Sequence, residues 1–111
     1  MSLDVPSFEL DVRTENGRTH LVPRGELDLA TAPQLEDRVM SAVREPGGVV
    51  LDLRELTFMD STGIRTIVAA HQAAKQSGTE LRVVRPAPDT AVARVIEISG
   101  IDEALGLVDA P

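Results

Sequence analysis

The sequence predicts a single α/β domain on a mixed, mostly parallel β-sheet of four to five strands, with an antiparallel N-terminal edge strand and helices mainly on one face. Three observations predict it. A strictly alternating segment opens the chain, short apolar runs then alternate with segments of helical period, and Gly, Pro or Asn marks most junctions. The 111 residues, 42% of them hydrophobic, suit one domain over residues 1–111, with its core over about 7–108.

Phe8, Leu10 and Val12 alternate with Glu9 and Asp11, the period of a half-buried strand. Asn16-Gly17 supplies the two positive-φ positions of a tight hairpin, and residues 19–25 read as the returning strand, weakened or bulged at Pro23. Thr31-Ala32-Pro33-Gln34 has the capping-box form, so a helix is expected with Thr31 as its cap; Leu35, Val39, Ala42 and Val43 share one stripe, and Pro46-Gly47-Gly48 ends it. Val49, Val50 and Leu51, followed by Leu53, read as a buried strand. A second helix is expected from about Ser61, with Ile64, Ile67, Val68 and His71 at helical spacing, ending at Gly78. Residues 80–84 form a further strand, Asp89 is placed to cap a third helix with Val92, Val95 and Ile96 inward, and Gly100 closes that helix. Residues 105–108 suit a short last strand.

Strand-helix-strand crossovers are right-handed and place their strands parallel, so residues 19–25, 49–53 and 80–84 should lie side by side with the first strand antiparallel at the edge. Glu9, Asp11, Arg13, Glu80 and Arg82 alternate with apolar neighbours, which leaves one sheet face partly wet.

Composition removes several functions. Zero cysteines and only two distant histidines, His20 and His71, leave no thiolate or histidine-rich metal centre, so neither a metal nor another cofactor is expected. A net charge of -7 repels phosphate backbones, and two aromatic residues offer few stacking platforms, so direct nucleic-acid binding is not expected. Apolar runs such as residues 49–51 and 67–70 fall far short of a bilayer span, and residues 1–6 carry Asp4 and no basic cluster before an apolar run. No membrane insertion and a cytoplasmic location are therefore expected.

Loops that follow parallel strands emerge at one sheet edge, which makes residues 25–33 and 57–63 neighbours. The first presents Glu26, Asp28 and Thr31; the second presents Met59, Asp60, Ser61 and Thr62, with Phe58 expected to anchor it from below. Ser61 stands at a helix start, where backbone N–H groups lack partners and the dipole favours negative charge. Local sequence alone favours a plain helix cap for Ser61, and the same reading applies to Thr31. A phosphate on Ser61 would add about -1.5 to -2 charges beside Asp60.

The segments Gly25-Glu-Leu-Asp-Leu-Ala-Thr-Ala-Pro33 and Leu53-Arg-Glu-Leu-Thr-Phe-Met-Asp-Ser-Thr-Gly63 closely resemble the STAS domain of bacterial anti-sigma-factor antagonists. The resemblance runs from the first hairpin through Ile98-Ser-Gly-Ile101. It implies a protein that binds an anti-sigma factor serine kinase, frees the sigma factor, is released on phosphorylation of Ser61, and is reset by a phosphoserine phosphatase. It implies a partner surface formed by Asp28, Thr31, Met59, Asp60, Ser61, Thr62 and Gly63. Thr62 stands where a second serine is common, which makes it a secondary acceptor.

A catalytic role is not expected. His71 follows Ser61 by ten positions on the same helix and cannot fold back onto it, and no Gly-rich phosphate loop is present. Asp60-Ser-Thr-Gly63 lacks the aspartic-protease triplet, since Thr62 stands where that motif has glycine. The rival reading keeps the fold and changes the partner: STAS proteins also serve as subunits of lipid-transport ATPases and of other signalling complexes.

Overall fold

A computed structural model describes residues 8–111, so the readings of residues 1–6 lie outside it. The elements are β1 (Phe8–Glu15), β2 (Arg18–Leu27), α1 (Ala32–Ala42), β3 (Val49–Asp52), β4 (Leu56–Met59), α2 (Ser61–Ser77), β5 (Leu81–Val84), α3 (Ala91–Ser99) and α4 (Ile101–Leu105). Five strands form one sheet in the order β1-β2-β3-β5, with β4 also paired to β2; the β1–β2 pair is antiparallel and the rest are parallel. The helices pack on one side of it. Among the described residues no helix is long and apolar enough to cross a membrane.

Asn16 and Gly17 adopt φ 53° and 78°, which turns β1 tightly into β2. Strand β2 changes partner along its length: Thr19 to Leu21 pair with β3, and Gly25 to Leu27 with β4. Pro23 falls at the changeover. Thr19 N–H donates to Gly48 O and Gly25 N–H to Glu55 O, so by strand alternation the Pro23 nitrogen faces the same side, between the two partners, where a missing donor costs no ladder bond. The irregularity expected at Pro23 lies instead between Gly25 and Glu26.

Leu21, Leu27, Leu35, Val39, Leu51, Leu53, Met59 and Ile67 are all but fully buried and join one core between sheet and helices. Each such side chain contributes about 1.5–3 kcal/mol on leaving water. Gly47, at φ 111°, presses the loop after α1 against the hairpin: a Cβ there would stand 2.0 Å from the Gly17 carbonyl oxygen.

Three local expectations are corrected. Thr31 makes no side-chain cap bond, because its buried hydroxyl donates to Glu26 O at 2.7 Å and accepts from Asp28 N–H at 3.0 Å. Thr90, not Asp89, caps α3, accepting from Ala93 N–H, while Asp89 sits at φ 63°. The last strand shrinks to one parallel bridge, Val84 to Val108, because residues 101–105 continue as α4 and Gly106 ends that helix at φ 60°.

Asp52 closes β3 as a buried carboxylate, 5% exposed, and accepts from Arg54 Nε at 2.9 Å, Arg54 Nη2 at 2.7 Å and the Arg54 backbone N–H at 3.0 Å. Burial pushes its pKa up, but the Arg54 hydrogen bonds and charge, with the charge of Arg13, hold it below the usual aspartate range. A depressed carboxylate pKa gives stability that is present above the unfolded-state value, about pH 4, and is lost as pH falls through the lower folded value. Replacing Arg54 by Ala leaves the burial penalty unopposed, so acid unfolding should begin at higher pH. The loss at neutral pH should be about 1 kcal/mol, since Arg54 is itself half exposed. Thermal melts from pH 7 to 2.5 test this, and coincident curves for the two proteins would refute it.

Candidate functional site

The site grows from the carboxyl ends of β2 and β4. Leu27 pairs with Met59, both buried, and Asp60 N–H donates to Leu27 O at 3.3 Å, which joins the two segments expected to converge. Between the pairs Gly25–Leu56 and Glu26–Phe58 the ladder skips Thr57, so Thr57 and Phe58 together oppose Glu26. This bulge explains a strand with buried ends and an exposed middle, and it turns Phe58 outward. Phe58 is 45% exposed and does not anchor the loop from below; buried Met59 does. Leu29, 75% exposed on the loop after β2, is a second apolar group at this edge. Sequence places Phe58 beneath the loop because the bulge cancels the alternation that would have shown it facing outward, and it gives Leu29, which lies outside any strand, no role.

Asp60 caps α2, its Oδ1 accepting from Thr62 N–H at 2.9 Å and Gly63 N–H at 3.4 Å. The cap role considered for Ser61 therefore belongs to its neighbour. Ser61 is the first helical residue, is exposed, and among the described residues its hydroxyl makes no hydrogen bond. Thr62 is half-buried, and its carbonyl accepts from Thr66 Oγ1. Gly63 is buried: a Cβ would stand 2.3 Å from Met59 Cγ and 3.1 Å from Leu27 Cδ2, so only hydrogen at this position lets the first turn of α2 rest on the β2–β4 pair.

Asp28 is half-buried, and its Oδ1 accepts from Ala30 N–H at 3.0 Å and Thr31 N–H at 3.2 Å. It shapes the loop that opens α1, while no described bond occupies its Oδ2. The predicted site residues thus divide by exposure. Ser61, Asp60, Asp28 and Thr62 reach the surface, with exposed Glu26 beside them, whereas Thr31, Met59 and Gly63 are buried beneath. His71 is half-buried further along α2.

The arrangement is an exposed hydroxyl at a helix start next to the capping Asp60, on the edge of a five-stranded mixed sheet that also carries Asp28, Glu26 and the exposed Leu29 and Phe58. It defines a small single α/β domain with an exposed polar edge at the carboxyl ends of β2 and β4. The chain belongs to the STAS domain family, whose family model matches residues 9–109. It is similar to the anti-sigma-B factor antagonist of Staphylococcus aureus (strain NCTC 8325 / PS 47), 31% identical over 101 residues, which cover 89% of this chain and 91% of that protein. It is also similar to the anti-sigma F factor antagonist of Paenibacillus polymyxa, 31% identical over 106 residues, 92% of this chain and 89% of that one. A crystal structure of an anti-sigma factor antagonist from Mycobacterium paratuberculosis superposes with a TM-score of 0.82 at 28% identity, covering 97% of this chain and 92% of that one. These relatives are regulators by name rather than enzymes.

Proposed function

We propose that this protein is an anti-sigma-factor antagonist working in the cytoplasm: unmodified, it captures an anti-sigma factor serine kinase and so frees a sigma factor. Phosphorylation of Ser61 switches capture off. The observation that carries this reading is Ser61 itself, exposed and without a hydrogen-bond partner among the described residues, between a capping Asp60 and a half-buried Thr62. An incoming kinase can reach its Oγ without unfolding the helix, whereas Thr62 is less accessible. In the transfer, Oγ takes the γ-phosphoryl group of ATP, ADP leaves, and the hydroxyl proton passes to a base of the kinase. The partner surface comprises Glu26, Asp28, Asp60 and the apolar Leu29 and Phe58, with Thr31, Met59 and Gly63 supporting it from within. Its carboxylates suit a partner presenting Arg or Lys. A phosphoserine phosphatase restores the hydroxyl.

Incubation with the cognate anti-sigma kinase and labelled ATP should place one phosphate on the wild-type chain and none on Ser61→Ala. Undiminished labelling of Ser61→Ala would remove the assignment. Recovery of a transport ATPase in place of a kinase in a pull-down would favour the STAS-subunit reading.

A further inference from the structure

We propose that Arg65 holds the phosphate on Ser61, so that the modified site is closed by a clamp within helix α2. The inference rests on the reading of Ser61 as a phosphoacceptor and adds a residue that nothing in the motif supplies. Residues four apart on a helix are surface neighbours, about 5–6 Å between Cβ atoms. Ser61 and Arg65 have this spacing at the start of α2, and both are exposed.

Two further observations favour the pairing. The N–H groups of Thr62 and Gly63, the donors a phosphate at a helix start would otherwise take, already serve the Asp60 carboxylate. The new charge must find its counter-charge elsewhere, in company with Asp28, Glu26 and Asp60. Nearby cations are engaged: Arg24 contacts Asp11 and Glu55, and Arg54 contacts Asp52. Arg65 makes no ion pair among the described residues, and its guanidinium can take two phosphate oxygens at once. A phosphate so held is turned onto its own helix and shielded, and Arg65 thereby sets how long the modified state lasts.

The test uses a chain carrying phosphoserine at position 61, installed during translation so that no cognate kinase is needed. Phosphorus NMR titration reads the second ionisation of that phosphate directly. With Arg65 in place it should occur about half a pH unit lower than in Arg65→Gln, and Arg65→Lys should restore part of the difference. Asp60 and Asp28 are present in every variant and leave the comparison unaffected. Unmodified Arg65→Gln should melt with the wild type, since the side chain is exposed. Identical titrations in the wild type and Arg65→Gln would overturn the clamp while leaving Ser61 an acceptor. A failure of any kinase to label Ser61 would count against the functional reading, and the titration would still report on the pairing.

Discussion

Gly47→Ala should destabilise the domain by about 3 kcal/mol, a large share of the 5–15 kcal/mol that folded domains possess. Two penalties coincide there. The backbone sits at φ 111°, outside the regions open to residues with a Cβ, which costs about 1–3 kcal/mol. The added methyl group would also stand 2.0 Å from the Gly17 carbonyl oxygen, and overpacking of this kind costs about 1–3 kcal/mol. Gly63 makes a useful contrast. Its close neighbour is a side chain, Met59, but that side chain is buried and the clash falls on its Cγ, so the core must shift and the better helix propensity of alanine offsets only part of the loss. At Gly47 the neighbour is main chain, held by the hairpin and by the bond from Thr19 N–H to Gly48 O, so nothing yields.

Gly78→Ala isolates the conformational part, since φ there is 68° and a Cβ would meet nothing within 4 Å. It should cost about 1 kcal/mol. Thermal melts should therefore place Gly47→Ala roughly 10 °C below the wild type and Gly78→Ala between them. Equal losses in the two variants would show that the contact with Gly17 carries no weight. The loop of Gly47 precedes β3, at the sheet edge opposite the carboxyl ends of β2 and β4, so affinity for the anti-sigma partner should stay unchanged at temperatures where the variant is folded.

The fold was legible where one residue type leaves few choices. Asn16-Gly17 marks the hairpin, Gly78 and Gly100 mark helix ends, and the apolar run 49–51 marks a central strand; each stands where expected. The losses share one cause, competition between neighbours able to fill the same role. Asp60 and Ser61 could both cap α2, as Asp89 and Thr90 could both cap α3, and only tertiary position decides which side chain turns inward. The Thr31 hydroxyl found a buried strand carbonyl, Glu26 O, a bond that no local motif encodes. Strand β4 escaped notice because its bulge exposes two adjacent residues and removes the period of two. The convergence of the two motif segments was readable from crossover rules, but the exposure of Phe58 and Leu29 was not, so the apolar part of the surface comes from the structure alone.

Ser61→Asp should weaken capture of the anti-sigma kinase by about 30- to 150-fold, or 2–3 kcal/mol, with Ser61→Ala binding as the wild type does. The reason is charge on a surface that is already acidic. Asp60 occupies the helix N–H donors, so a second carboxylate at position 61 is not absorbed by the helix start. Pairing of this singly charged, shorter group with Arg65 offsets only about 0.3–0.5 kcal/mol at an exposed i,i+4 position, and the remaining charge adds to that of Asp60, Asp28 and Glu26. The helix dipole offsets part of this, by about 0.3–1 kcal/mol at an exposed site, which is too little to cancel it. Because Ser61 is exposed and its hydroxyl bonds to nothing described, neither substitution should move the melting temperature by more than a degree or two. Affinity and stability thus separate in opposite senses at Ser61 and Gly47. Calorimetric titration of purified kinase into each variant, with melts alongside, reads both quantities. Wild-type affinity in Ser61→Asp would sink the electrostatic switch, and a large loss of stability in the same variant would make Ser61 a structural residue after all.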